Sequence, residues 1–530
     1  MNHVSVLAWL LLLLALGSSV YLMVSTGMLI IQWILPTFGY LTLLDAQNFS
    51  SIDSLWHSPT QNQINNLDAV INGNGVDGFI FNNSYAPASN GYYGGYNYCN
   101  MPHVNKAEYV KPPKDYSLEY VELIHRHHKR TPYAANTFPH ESYAWDCNDE
   151  GLFYYGKPLS PAGNDSASTY WSVYTSPSNP FTPQGFNGTC QFPQITRGGL
   201  DDSWQHGRDL YEIYHDLLGF LPDEPGDGVV YRVTNNVITS QVAGMVVNAM
   251  YNSTTDIPLL IQPASIDSLE PTYTCAAGTA IYNSYGVGST KANWTAHLTA
   301  SQPLFNTLDN ISGVSPTDSG FHQSWDHYFD NLSSRLCHAK PLSCNITNPT
   351  LCINLSLATS VFRLGLYEYD YLYRSSPYSL RAATLSYGVY IAELAQNIRD
   401  SISGASPVKY RHNVAHDGSL ARLLSILQVD KMVWPGLGSE VVFEIYKRQT
   451  GNAKAEKRFV RILWGGVVLR SSYPTLGNLD MLPLDTLLDY FDALVGVGAR
   501  KVPGMCAAPI DFESGMGLGT SKGWDFCVDC

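Results

Sequence analysis

A cluster of cationic side chains at residues 126–133 is the part of the sequence best suited to chemistry. The cluster follows the strand-like run 120–124 and contains Arg126, His127 and Arg130, with Pro132 two residues later. A guanidinium group can hold two phosphate oxygens, and an imidazole can attack phosphorus when its other nitrogen is held as a donor. The spacing predicts an anion site with His127 as a nucleophile. Taken alone, the cluster is equally compatible with a solvated basic turn.

Two later strands are predicted to end in polar groups of the same kind. The strand at 229–231 is followed by Arg232, and the strand at 408–414 leads to His416 and Asp417. In layered α/β sheets, ligands bind at the carboxyl ends of the strands. The sequence therefore predicts that these three groups meet the cluster at 126–133.

The elements that must position these groups alternate between strands and helices, which predicts a layered α/β sheet, largely parallel. Further strands are predicted at 118–124, 257–262, 441–446 and 459–463, and helices at 200–217, 240–250, 382–401 and 420–427. The segment 265–385 instead shows helical stretches at 304–310 and 328–336. We interpret this segment as an inserted, mostly helical cap on an α/β core formed by 118–264 and 386–505. An irregular region at 47–117 precedes the core, and a cysteine-containing tail at 506–530 follows it.

The composition excludes a nucleic-acid partner. The 530 residues carry a formal net charge of -14, whereas binding to a phosphate backbone needs a broad basic surface. Only 14% of the residues are charged and 45% are hydrophobic, which predicts a globular protein with a large core.

Sequons and cysteines predict a secreted, N-glycosylated protein. Sequons begin at Asn48, Asn82, Asn164, Asn187, Asn252, Asn293, Asn310, Asn331, Asn345 and Asn354. The ten cysteines allow up to five disulfides in an oxidising compartment, and their pairing cannot be derived from the sequence. Cys527 and Cys530 could close a local loop, or form a redox or metal motif.

The first 44 residues contain no charged side chain, and the apolar run 4–35 exceeds the length needed to cross a bilayer. Residues 1–46 are therefore predicted to be a signal peptide or a membrane anchor, with a start at Met23 or Met28 as a third interpretation. The weak cleavage pattern at 44–46 favours a removed signal. Contact with a membrane is expected only if this segment is retained.

Arg126-His127-x-x-Arg130-x-Pro132, a later strand-end Arg232 and the pair His416-Asp417 resemble the histidine acid phosphatase family, the acid phosphatase and phytase branch of the histidine phosphatases. The resemblance covers about residues 116–500, and secreted fungal members are the most similar in character. It implies a phosphoglycerate mutase-like α/β sheet with a helical cap.

The resemblance also implies a mechanism. His127 would form a phosphohistidine, and Asp417 would protonate the leaving alkoxide. The phosphoryl oxygens would be held by Arg126, Arg130, Arg232 and His416. No metal or other cofactor is implied, and the expected substrates are small phosphate monoesters, with broad specificity.

Two positions depart from the family pattern. The residue after Arg-His is usually Gly in relatives and is His128 here, and position 238, often a second distal Arg, is Ile238. An alternative class is therefore a catalytically inactive phosphate-binding or cell-surface interaction protein in which His128 blocks the nucleophile. A zinc site formed by His125, His127 and His128 is a weaker alternative, since Arg126 and Arg130 would repel a cation.

Overall fold

The computed structural model describes residues 52–81, 95–139, 144–147, 173–174, 176, 178–180, 187–254, 256–449 and 457–508. The chain divides into two compact units, Met1–Ser54 and Leu55–Cys530, and all elements below belong to the second. The predictions for residues 1–46 and for Cys527 and Cys530 lie outside the described residues. Within the described part of the chain, no helix has the length and apolar character needed to cross a membrane.

A mixed β-sheet forms the centre of the protein. The strands are β1 (Tyr116–Arg126), β2 (Ala144–Trp145), β3 (Asn187–Gly188), β4 (Val229–Val233), β5 (Leu259–Leu260), β6 (Tyr410–Ala415), β7 (Glu440–Arg448), β8 (Arg458–Trp464), β9 (Val467–Val468) and β10 (Leu482–Pro483). The main sheet has the order β10-β8-β7-β1-β6-β4-β5, with β9 paired to β8, while β2 and β3 pair separately.

The sheet is parallel on one side of β1 and antiparallel on the other. β1, β6, β4 and β5 are parallel neighbours, whereas β7, β8 and β10 run antiparallel to their neighbours. The expectation of a largely parallel sheet is therefore wrong for this half. The nine residues between β7 and β8 are too few for a crossover, so the two strands pair as a hairpin-like unit.

Helices cover both faces of the sheet. They are α1 (Leu67–Asn72), α2 (Arg197–Tyr211), α3 (Val237–Tyr251), α4 (Ala276–Tyr285), α5 (Ala292–Ala300), α6 (Gln302–Ser312), α7 (Ser319–His322), α8 (Asp326–Cys337), α9 (Leu355–Asp370), α10 (Ser379–Ser403), α11 (Asp417–Ile426), α12 (Leu484–Val495) and α13 (Val502–Ala507). On β1, Leu123 packs into an apolar cluster with Leu210 of α2 and Val242 of α3. The next side chain back, Glu122, points to the other face, where Asn397 of α10 donates to it. This layered α/β arrangement confirms the predicted fold class.

The segment between β5 and α10 is helical. Its described residues form α4 to α9 and contribute no strand to the main sheet. Helix α8 is bonded covalently to the region before β1, because Cys337 at its end forms a disulfide with Cys99. Three further disulfides join Cys147 to Cys190, Cys275 to Cys506 and Cys344 to Cys352. Four disulfides are typical of an oxidising compartment.

The sequons differ in accessibility. Asn252, Asn293, Asn310 and Asn354 are exposed. Asn331 on α8 is 1% exposed, and its side-chain amide donates to the backbone carbonyl of Asn136. The folded protein therefore offers no access for a glycan at Asn331.

Candidate active site

His127 immediately follows β1 and is held in one tautomer. Its backbone N–H donates to the carbonyl of Ala415 at the end of β6. The ring Nδ1 lies 2.9 Å from the carbonyl oxygen of His128. Because a carbonyl only accepts, Nδ1 carries the proton and Nε2 presents a lone pair. That Nε2 is buried and has no hydrogen-bond partner among the described residues.

The environment of His127 keeps its ring neutral. Burial, reinforced by the charges of Arg126 and Arg130, holds the pKa of His127 well below its usual range. A neutral imidazole with a free nitrogen is the form that can act as a nucleophile.

Arg126, the last residue of β1, is fixed by three oxygen acceptors. Its Nη1 donates to the carbonyl of Pro435 at 2.7 Å and to the hydroxyl of Tyr98 at 3.2 Å, while its Nη2 lies 3.0 Å from Oδ2 of Asp417. The Nε atom is buried without a partner in the described structure. The two Nη atoms of the guanidinium are therefore held by protein oxygens, whereas its Nε–H has no acceptor in the described structure.

Arg130 is positioned by the helical segment. Its Nη1 lies 3.0 Å from Oδ1 of Asp330 on α8, and its guanidinium carbon stacks 4.1 Å from the ring centre of Tyr133. The other oxygen of Asp330 accepts from the backbone N–H of Tyr133 and from Asn136 Nδ2. Asp330 therefore holds the loop after β1 as well as the guanidinium.

His416 connects β6 to α11, and Asp417 is the first residue of that helix. The His416 ring centre lies 5.4 Å from that of His127, and its Nε2 is 3.0 Å from Oγ1 of Thr234, just beyond β4. Burial lowers the pKa of His416 to about 3, although the neighbouring Asp417 acts in the opposite direction. The ring is therefore neutral, and its Nδ1 is buried without a described partner.

Asp417 is oriented by an indole as well as by Arg126. Its Oδ1 accepts from the backbone N–H of Gly418, and its Oδ2 accepts from Trp434 Nε1 at 2.7 Å. The Trp434 ring is stacked between Phe329, at 4.1 Å, and Tyr369, at 4.0 Å. The carboxylate position thus depends on aromatic packing against the helical segment.

Four of the predicted site residues each leave one buried nitrogen without a partner. These atoms are Nε of Arg126, Nε2 of His127, Nε of Arg130 and Nδ1 of His416. Buried polar groups in proteins are hydrogen-bonded in about 90% of cases or more, so four unsatisfied nitrogens on neighbouring residues indicate a ligand. Two of these residues carry a permanent positive charge, so the arrangement suits an oxygen-rich anion such as a phosphoryl group.

Arg232 is not brought into this group by any described contact, which corrects its predicted place. It lies inside β4, opposite Asn413 of β6, two residues short of the end of β6. Its guanidinium donates to Glu393 at 2.8 Å and to Ser268 at 2.8 Å, and lies 3.3 Å from Asp267. Because β4 continues to Val233, the residue that reaches the site from this strand end is Thr234, just beyond the strand.

The two departures from the family pattern have different outcomes. Ile238, at the start of α3, is fully buried in the apolar cluster and adds no polar group. His128 does not point at His127: its Nε2 lies 3.1 Å from Nδ1 of His206 on α2. The idea that His128 blocks the nucleophile is therefore not supported by its position.

Sequence reasoning missed Tyr98, Thr234, Asp330 and Trp434. Asp330 lies 200 residues after Arg130 in the chain, so no local sequence pattern could connect the two. Thr234 could have been found, because it follows the predicted strand 229–231 by only three residues. A cleft of about 460 Å³ lies beside Lys129 and is lined in part by Arg197 and Lys340, and none of the predicted catalytic or phosphate-binding residues lines it.

Comparisons with known proteins give distant similarities. No protein-family model matches the chain. The chain is 24% identical over 387 residues to Counting factor 60 of Dictyostelium discoideum, covering 70% of this chain and 85% of that protein. Among solved structures, it is similar to the phytase of Klebsiella sp ASR1, with a TM-score of 0.47 and 17% identity, covering 76% of this chain and 98% of that one. The Hafnia alvei phytase gives a TM-score of 0.47 and 15% identity, covering 73% and 99%.

Proposed function

We propose that the protein is a phosphomonoesterase that works through a phosphohistidine at His127. The observation that carries the proposal is the bare, buried Nε2 of His127, whose tautomer is set by the carbonyl of His128. The unsatisfied Nε atoms of Arg126 and Arg130 support an anion beside it. The resemblance of the motif to histidine acid phosphatases points to the same chemistry.

In the proposed first step, Nε2 of His127 attacks phosphorus as the ester P–O bond breaks. Arg126, Arg130 and His416 donate to the phosphoryl oxygens, and Asp417 gives a proton to the departing alkoxide. Arg126 would have to exchange its contact with Asp417 for one with the substrate. In the second step, Asp417, now a carboxylate, takes a proton from water as the water oxygen attacks phosphorus, the P–N bond breaks, and inorganic phosphate leaves.

The proposed substrates are small phosphate monoesters, accepted broadly. A highly phosphorylated substrate would favour a wide cationic rim, and the whole chain contains only 31 lysines and arginines. We also propose that the core at 118–264 and 386–505 carries the nucleophile while the segment 265–385 acts as a cap. Asp330, which holds Arg130, supports this division.

We propose secretion as the location. The four disulfides and the exposed sequons at Asn252, Asn293 and Asn354 support an oxidising, glycosylating route.

A second candidate is an inactive phosphate-binding protein. The observation that favours it is the displacement of Arg232 into an ion pair with Glu393, which leaves two guanidinium groups near His127. Such a protein would bind inorganic phosphate but would neither turn over an ester nor become labelled.

Trapping of labelled phosphate separates the two candidates. The glycosylated protein is mixed with a labelled aryl phosphate at mildly acidic pH and quenched. We expect a label that is stable to alkali, labile to acid, and absent from His127→Ala. The matched control is His297→Gln, which changes a buried histidine bonded to Glu368 away from the site and should keep the label. A label that survives acid or persists in folded His127→Ala contradicts the mechanism, and phosphate binding with neither label nor turnover supports the second candidate.

A further inference from the structure

A group of five buried histidines lies behind the candidate active site, on the α2 face of the sheet. The members are His103, His125, His128, His206 and His412. Their rings are neighbours: the ring centre of His206 lies 4.2 Å from that of His103 and 4.7 Å from that of His125. The ring centres of His125 and His412 are 4.8 Å apart. Alternation along β1 directs His125 to this face and Arg126 to the opposite one. The group is thus separate from the anion site.

Three of these histidines bring one ring nitrogen each to a common point. The ligand atoms of His125, His128 and His206 all lie within 4.8 Å of one another, and all three residues are buried. Nε2 of His128 and Nδ1 of His206 are 3.1 Å apart. Two nitrogens on one tetrahedral zinc ion, each at about 2.0–2.1 Å, would be about 3.3 Å apart.

The hydrogen bonds around His125 and His206 leave one ring lone pair on each residue. Nε2 of His128 is hydrogen-bonded to Nδ1 of His206, so His128 would bind a metal in the tautomer that carries its proton on Nδ1, an atom without a partner in the described structure. Nδ1 of His125 lies 2.9 Å from the carbonyl of Arg126, so it carries the proton and Nε2 holds a lone pair. This Nε2 is buried and has no partner among the described residues. A buried lone pair without a hydrogen-bond donor is uncommon in proteins. Nε2 of His125 is therefore available to bind a ligand.

His206 has the partner that metal-binding histidines usually have. Its Nε2 lies 3.0 Å from Oε2 of Glu440, and the other oxygen of Glu440 accepts from the backbone N–H of Val104. A carboxylate that accepts from one ring nitrogen fixes the tautomer and raises the basicity of the other nitrogen toward a metal. Nδ1 of His206 is the nitrogen that faces His128.

Nearby positive charges do not oppose a cation at this point, because each is paired. Arg126 is bonded to Asp417, Arg130 to Asp330 and Lys129 to Asp202.

We propose that His125, His128 and His206 bind a single transition-metal ion, most suitably Zn²⁺, with Glu440 as the carboxylate partner of His206. Imidazole ligands suit zinc, copper, iron and nickel, and three nitrogens in a buried pocket suit tetrahedral zinc best. The ion would connect the segment 125–128 to helix α2. His127 lies between two of the ligands, so the ion would hold the backbone of the nucleophile without entering the reaction.

This set differs from the sequence-level alternative in one ligand. That alternative used His127, whose ring lies on the anion side next to His416. The structure replaces it with His206, which is 78 residues from His128 in the chain.

The first test measures metal content of the intact, glycosylated protein. After dialysis against metal-free buffer and refilling with Zn²⁺, elemental analysis should find about one equivalent per chain. His206→Gln should reduce this to near zero, whereas the control His297→Gln, at a buried histidine bonded to Glu368, should keep it. Replacement of zinc by Co²⁺ should give the visible absorption of a tetrahedral nitrogen site. Folded wild-type protein that retains no metal, or a His206→Gln variant that retains it, overturns the proposal.

A second measurement covers the case in which His206→Gln does not fold. Glu440→Gln keeps all three ligands and changes only the carboxylate partner of His206. Loss of such a partner typically weakens metal affinity about 10- to 100-fold, and this is the expected result in a competition with a coloured zinc chelator. Unchanged affinity would overturn the assignment, as would a wild-type melting temperature that is insensitive to zinc removal and re-addition.

Discussion

Replacement of Trp434 by phenylalanine should test the role of Asp417 without adding or removing a charge. The change removes the indole N–H that donates to Oδ2 of Asp417 at 2.7 Å, and it keeps an aromatic ring between Phe329 and Tyr369. In the proposed mechanism, Asp417 gives up its proton, and negative charge develops on the oxygen that this N–H stabilises. Trp434→Phe should therefore raise the barrier of the proton-transfer step.

The size of the effect follows from the hydrogen bond that is lost. Hydrogen bonds to charged groups contribute about 1.5–3 kcal/mol, and each 1.36 kcal/mol corresponds to about tenfold in rate. We expect kcat/KM for an alkyl phosphate to fall about 10- to 100-fold. The fall for an aryl phosphate should be within about threefold, because its leaving group needs little protonation.

The assay measures kcat/KM for both substrates in wild type, Trp434→Phe and a control. Trp294→Phe is a suitable control: Trp294 is also buried, and its indole N–H donates to the carbonyl of Gln323 away from the site. Trp294→Phe should leave the alkyl-to-aryl ratio unchanged. Equal losses on both substrates in Trp434→Phe, or the same change of ratio in Trp294→Phe, would refute the role of Asp417 as an acid.

Three further predictions concern residues outside the proposed chemistry. Arg232→Gln should lower the free energy of unfolding in urea by about 1–3 kcal/mol, because Glu393 and Asp267 lose their cation but keep other hydrogen-bond donors. The Kd for inorganic phosphate should stay within about twofold of wild type. Burial raises the pKa of Asp370 to about 7, well above its unfolded value, so the stability that its proton contributes is fully present below about pH 4 and lost as the pH rises through 7. Asp370→Asn should therefore be more stabilising at pH 8 than at pH 5, by about 2.5 kcal/mol, in urea unfolding at the two values; an equal effect at both would contradict this. Asn293→Gln should shift the mass of the secreted protein by one glycan, whereas glycopeptide mapping should find Asn331 unmodified.

The sequence predicted those strands and helices whose hydrophobic periodicity alone determines the type of element. The strand expected at 118–124 and the helix expected at 382–401 appear as β1, Tyr116–Arg126, and α10, Ser379–Ser403. The strand expected at 257–262 shrinks to Leu259–Leu260, because β5 has only β4 as a neighbour and stands at the sheet edge. Propensity finds such a segment, but its pairing length depends on tertiary contacts.

The site was predictable in its strand-end residues and not in the groups that orient them. His127, Arg126 and His416 follow from strand ends that parallel pairing brings together. Asp330 and Trp434 come from a helix and a loop far along the chain. Their ability to orient Arg130 and Asp417 depends on tertiary packing, which no local sequence pattern predicts. Arg232 shows the limit of the argument in the other direction: although it lies near a strand end, its guanidinium pairs with Glu393 and Asp267.

Burial explains how histidine chemistry could proceed at acidic pH. A solvent-exposed imidazole with a pKa near 6.5 is mostly protonated at pH 5 and cannot attack phosphorus. Burial and the charges of Arg126 and Arg130 lower the pKa of His127, and burial lowers that of His416 to about 3. Both rings therefore remain neutral in weak acid, where phosphate monoesters lose part of their charge. The same two arginines that would bind the substrate thus act together with burial to keep the ring of His127, the proposed nucleophile, unprotonated. In the proposed mechanism, substrate binding and nucleophilic attack therefore depend on the same pair of positive charges.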